Sequence, residues 1–83
     1  MKYNYLMISA LLHGQNGYSR TARVVNNVYY LYNTPIARLE GGRVYVDMDY
    51  YSNTTSRQRN EIIHACKSNG LHVIELVGTK IVP

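Results

Sequence analysis

The run Tyr50-Tyr51-Ser52-Asn53-Thr54-Thr55-Ser56-Arg57-Gln58-Arg59-Asn60 gathers side chains suited to holding an anion. Five small polar residues lead into a helical pattern whose first turns carry two arginines. A helix N-terminus presents unpaired N–H groups and the positive end of the dipole, so cations there are disfavoured by a few tenths of a kcal/mol each. An anion among them reverses that sign. The N–H groups, the hydroxyls of Ser52, Thr54, Thr55 and Ser56, and the forks of Arg57 and Arg59 would cradle a phosphate or carboxylate. The rings of Tyr50 and Tyr51 beside them lean the choice towards a ligand carrying both a ring and a phosphate. Capping chemistry uses the same residue types, so the competing reading is a well-capped loop. On that reading the arginines are solvated or paired with Asp47, Asp49 or Glu61.

Arginine and tyrosine also interleave along the middle of the chain. Arg20, Arg23, Arg38 and Arg43 alternate with Tyr18, Tyr29, Tyr45 and others on expected strands, which offers stacking faces and phosphate contacts to a nucleic acid. No RNP, KH or helix-turn-helix signature accompanies them.

Residues for catalysis are sparse. Asp47 and Asp49 share a strand face and could pair or hold Mg²⁺, but on a half-exposed sheet such carboxylates usually solvate it. Cys66 follows His64 by two residues, which puts them on different faces of a helix, and it reads as an inert core thiol. Neither a Ser/His/Asp arrangement nor a P-loop nor a dinucleotide fingerprint is present. His13, His64 and His72 share no metal-ligand spacing with each other or with Cys66. The expectation is a protein that binds without catalysis, metal or cofactor.

These side chains are positioned by a legible middle and C-terminal part. Tyr18–Val25 alternates as one strand, Asn26-Asn27 is a two-residue turn, and Val28–Tyr32 is rich in strand formers. Asn33-Thr34-Pro35 breaks the run, because Pro35 cannot donate to a ladder. Ile36–Glu40 and Arg43–Asp49 flank Gly41-Gly42 as a hairpin. In its second arm Val44, Val46 and Met48 form a dry face, opposite Arg43, Tyr45, Asp47 and Asp49. The main helix is expected over about 55–69, with Thr55 and Gln58 as a capping box. Ile62, Ile63 and Cys66 are its apolar stripe, and Asn69-Gly70 its left-handed stop. Leu71–Val77 is a further strand and Lys80–Val82 a short last one. Residues 3–13 fit a short helix ended by His13-Gly14, and strand alternation fits there nearly as well. The sum is a single α+β domain over 1–83, a strand-rich antiparallel meander with one main helix packed on one face.

Composition sets the outer bounds. A chain of 83 residues buries only about 60–65% of its unfolded surface, and small domains often compensate with disulfides, a metal or a partner subunit. One cysteine excludes an internal disulfide and suggests a reducing, cytoplasmic setting. Self-association as a homo-oligomer is then the expected device. The net charge of +4 favours an anionic partner without requiring one. Nine tyrosines with no phenylalanine or tryptophan imply aromatic rings with one end wet, suited to interfaces, base stacking or half-buried strand positions. With no apolar run of membrane length, no membrane partner is expected. The short stretch Leu6–Leu12 ends in His13-Gly14 rather than a signal-peptide cleavage site.

Two runs carry a resemblance. Tyr30-Leu31-Tyr32-Asn33-Thr34-Pro35-Ile36-Ala37 and Tyr51-Ser52-Asn53-Thr54-Thr55-Ser56-Arg57-Gln58-Arg59-Asn60 resemble a pattern in small tailed-phage and prophage proteins. Those proteins share an aromatic strand, a "Thr-x-Ile-Ala" turn into a second strand, and a "Tyr-Ser-x-Thr-Thr-Ser/Thr-Arg" helix start. The similarity spans roughly 28–62, with Pro35 tolerable between Thr34 and Ile36, and the N-terminal quarter and the final strand pair have no counterpart in it. It implies a phage origin and an accessory role in the host cytoplasm. By analogy such a protein counters host defence, by blocking a defence protein or sequestering a signalling nucleotide. The alternatives are a basic, Tyr-rich nucleic-acid-binding module and a structural, virion-associated protein.

Overall fold

A computed structural model describes residues 5–49 and 52–81. Its element order is α1 (Tyr5–Leu12), β1 (Gly17–Tyr18), β2 (Ala22–Val25), β3 (Val28–Leu31), β4 (Thr34–Glu40), β5 (Arg43–Asp47), α2 (Asn53–Ser68) and β6 (His72–Leu76). The six strands form one sheet in chain order. β1 to β5 are an antiparallel meander, and β6 joins β5 in parallel through the α2 crossover. The fold is the expected α+β arrangement, with a parallel last pairing that a plain meander does not contain. Among the described residues no helix is long and apolar enough to cross a membrane.

Three hairpin loops have two residues each, and all six backbones sit at positive φ: Asn26 and Asn27, Tyr32 and Asn33, Gly41 and Gly42. That is the turn whose twist matches the flanking strands. Asn tolerates this region and glycine is free in it, whereas Tyr32 at φ 51° has no such dispensation. Pro35 does not break the strand. Tyr29 pairs with Ala37 and Tyr30 with Pro35, so Ile36 is an extra residue, and the resulting bulge sits where the proline has no donor. Tyr18–Val25 is not one strand either, because Ser19 closes a turn on Ala22. The Ser19 N–H donates to the Ala22 carbonyl at 2.8 Å, and the Ala22 N–H donates to Ser19 Oγ at 3.2 Å. The expected strand at Lys80–Val82 is absent at residues 80 and 81, and Val82 lies outside the described residues.

Both helices end as their sequences suggest. At the end of α1, the Gly14 N–H returns to Leu11 and the Gln15 N–H to Ala10. At the end of α2, Gly70 returns to Lys67 and Leu71 to Cys66. Each is the paired bonding of a glycine stop, with Gly14 and Gly70 at φ 66° and 77°. The start of α2 differs from expectation. Ser52, not Thr55, is the cap: its Oγ accepts the Thr55 N–H at 3.1 Å, and the helix begins at Asn53. Gln58, expected in the capping box, is buried, 2% exposed.

One continuous core lies between the sheet and the two helices. Met7, Ile8 and Leu11 of α1 and Ile62 and Cys66 of α2 meet Val24, Tyr29, Leu31, Ile36, Ala37, Val44 and Val46. At its centre the Tyr29 hydroxyl, on a fully buried ring, donates to Gln58 Oε1 at 3.0 Å. Burying two polar groups is tolerable because each satisfies the other. Removing the donor with Tyr29→Phe should lower stability by about 1–2 kcal/mol. Tyr29→Phe with Gln58→Met should lose less than the sum of the two single changes. Urea melts of the three variants check both statements.

Candidate functional site

The helix start expected to hold an anion is organised mainly around itself. Ser52 is exposed, and its Oγ donates to Thr55 Oγ1 at 3.1 Å while accepting the Thr55 N–H. Thr55 is 7% exposed and belongs to the buried side of α2. Thr54 and Arg57 are exposed and Ser56 is half-buried. Arg59 turns the other way, with its Nη1 donating to the Asp49 carbonyl at 3.0 Å and its Nε buried without a hydrogen-bond partner among the described residues. Two residues apart on a helix, Arg57 and Arg59 face different directions, so the described geometry does not converge them on one point. Tyr50 and Tyr51 lie outside the described residues.

The candidate carboxylates are also engaged. Asp47 was expected on the wet face but is 2% exposed, and its Oδ1 accepts the Asp49 N–H at 2.9 Å, an Asx turn that closes the end of β5. Asp49 Oδ1 accepts the Gly78 N–H at 3.0 Å and so ties the end of β6 to the loop after β5. Cys66 is fully buried, and burial pushes its thiol up to about 11. Among the described residues no three His, Cys, Asp or Glu side chains are grouped to hold a metal ion.

The second constellation is brought together much more fully. Pairing and alternation put Arg23, Tyr30, Arg38, Arg43 and Tyr45 on the sheet face away from the helices, since Val24, Tyr29, Val44 and Val46 take the helix side. Arg23 and Tyr30 are cross-strand partners with the guanidinium 4.3 Å from the ring centroid, and Arg38 and Tyr45 repeat this at 4.7 Å. Arg23 is further held by Asn33, its Nη1 donating to Oδ1 at 2.7 Å. Arg38 pairs with Glu40 and donates from Nε to the Ile81 carbonyl at 3.1 Å, so the segment after β6 folds back across part of this face. Arg43 is exposed, and its side chain makes no hydrogen bond or ion pair among the described residues.

At the β1 end this face runs into an open cleft of about 260 Å³ that includes Tyr18, Arg20, Arg23 and Tyr32. Tyr29, read from sequence as a stacking face, is instead in the core. Tyr30, Tyr32 and Asn33 stand in the run that carries the resemblance, without a site role of their own there. A hairpin register counted outward from the Asn26-Asn27 turn would have placed Tyr30 opposite Arg23.

This architecture defines a small mixed-sheet α+β domain with helices on one face and an arginine–tyrosine face on the other. The chain belongs to a family of unknown function, DUF8033, whose model matches residues 6–78. No curated protein and no solved structure matches it.

Two measurements follow from these placements. Arg59→Ala should destabilise the fold by about 1–2 kcal/mol through loss of the charged bond to the loop, and by more than Arg57→Ala on the exposed side of α2, both read by thermal melts. For Cys66, the unfolded thiol ionises near 9.0 and the folded one at about 11. Between those values the unfolded chain has lost a proton that the folded chain retains, so stability is full below about pH 9 and falls as pH rises towards 11. The loss attributable to Cys66 is roughly 2–3 kcal/mol at most. Comparing the pH slopes of wild type and Cys66→Ala in urea melts isolates it.

Proposed function

We propose that this chain is a non-catalytic binding module that holds single-stranded nucleic acid against the arginine–tyrosine face of its sheet. The observation that supports this reading is the repeated cross-strand stack, Arg23 on Tyr30 and Arg38 on Tyr45, on the one sheet face without helices. A guanidinium laid on a ring holds that ring in place and keeps positive charge beside it. Bases stack on such rings regardless of sequence, and phosphates find Arg20 and Arg43 at the margins. The net charge of +4 has the right sign for a polyanion. The non-catalytic part of the reading is supported by the engagement of Asp47 and Asp49 in backbone hydrogen bonds and by the buried, high-pKa Cys66.

The setting we propose is the phage-type accessory role that the sequence resemblance implies, in which a small protein occupies a nucleic acid or nucleotide rather than transforming it. In that setting, countering a host defence system is a matter of competition for the ligand.

Fluorescence anisotropy with a labelled short oligothymidylate tests the binding. Affinity should fall steeply with added salt. Arg43→Ala with Tyr45→Ala should weaken binding by about tenfold or more and make the salt slope shallower by about one. A salt-independent signal, or one that the double variant leaves unchanged, would refute the reading.

A further inference from the structure

The cleft at the β1 end of the sheet contains an arrangement that the fold itself does not use. Two of its walls are aromatic rings left in solvent, Tyr18 at 68% and Tyr32 at 61% exposure. The same cleft includes Arg20, on the turn from β1 to β2, exposed and with a side chain that makes no hydrogen bond or ion pair among the described residues. The floor is rigid by comparison, because Arg23 is clamped between the Tyr30 ring and Asn33. The Tyr32 N–H donates to the Thr21 carbonyl at 2.9 Å, which fixes the turn carrying Tyr32 against the turn carrying Arg20.

Tyr32 is the decisive residue. It occupies the first slot of a two-residue turn at φ 51°, where Asn, Asp or Gly are preferred and a bulky side chain is strained. The other two hairpin loops fill the same slot with Asn26 and Gly41. A ring left mostly in solvent recovers little of that strain by burial, and it makes no ring contact or hydrogen bond among the described residues. Strain without a structural return is characteristic of residues kept for a ligand.

We propose that this cleft binds a phosphate-bearing aromatic ring, that is, a nucleotide. The base stacks on Tyr32, Tyr18 closes the other side, and Arg20 takes the phosphate. The space is about 260 Å³ and runs into a wider opening of about 590 Å³ over Arg20 and Tyr32, a size compatible with one nucleotide. The ligand can be a free nucleotide or the terminal nucleotide of a single strand. The inference rests on the nucleotide class of ligand proposed above, but it places a discrete site outside the Arg43–Tyr45 part of the face.

Amide chemical-shift titration of the full chain separates these cases. The probes are adenosine and uridine 5′-monophosphate, inorganic phosphate, and a short oligothymidylate with either a 5′-phosphate or a 5′-hydroxyl. A monophosphate should shift amides within 18–23 and 32–33 along a saturable curve, while phosphate alone at the same concentration should not. Arg20→Ala and Tyr32→Asn should each weaken that binding by about tenfold, the loss of one stack or one charged contact. Tyr32→Asn should also raise Tm, because asparagine relaxes the turn. Arg43→Ala with Tyr45→Ala should leave monophosphate binding unchanged. A 5′-phosphorylated oligonucleotide binding more tightly than both its 5′-hydroxyl form and the monophosphates identifies a strand end as the source, and tighter monophosphate binding identifies the free nucleotide. Oligonucleotide binding that depends on Arg43 and Tyr45, without saturable shifts from a monophosphate or a strand end at 18–23 and 32–33, would leave the face intact and overturn the cleft. The cleft also falls if Tyr32→Asn lowers Tm and leaves affinity unchanged.

Discussion

A single hydrogen bond out of reach of solvent orients the whole molecule. Tyr29 on β3 and Gln58 on α2 are both buried, and each polar group is tolerable there because the other is present. Their meeting fixes the rotation of α2, which turns Ile62 and Cys66 to the sheet and leaves Arg57 outside. It also commits Tyr29 to the helix side of β3. Strand side chains alternate and a slip of one residue would exchange the faces, so that commitment forces Tyr30 outward and, through the pairing, Arg23 with it. The arginine–tyrosine face is thus a consequence of how the opposite face is packed.

Signals with a strong local cause were readable in the sequence. Asn26-Asn27, Gly41-Gly42 and Asn69-Gly70 mark turns or a helix stop because few residues adopt positive φ cheaply. The apolar stripe of α2 and the dry face of β5 followed from periodicity alone. What escaped the sequence depends on partners far along the chain. Gln58 has the type and spacing of a capping residue, and Tyr29, 29 positions away, holds it inward. Pro35 looks like a strand breaker until a bulge at Ile36 relieves the missing donor. Asp47 looks solvated until the Asx turn closes over it.

The candidate sites divide in the same way. The Ser52–Arg59 cluster was conspicuous because its residues are contiguous, yet contiguity on a helix spreads side chains around an axis, and Arg59 is drawn to Asp49. The Arg–Tyr face was faint because its members are scattered over four strands, and only the register aligns them. Tyr32 was invisible as a special residue, since its significance is a backbone angle that tyrosine composition does not report.

The order of strands in the sheet has a kinetic side. Every pairing from β1 to β5 joins neighbours in the chain across a turn, so those contacts close short loops and carry little entropic penalty. The β5–β6 pairing alone must wait for a long segment to coil into α2 and return, with Val44 meeting Val73 and the Gly78 N–H finally reaching Asp49. The search for the native state is therefore concentrated in one closure. The meander is free to assemble first as a template with an open edge, and the last strand seals that edge when it docks.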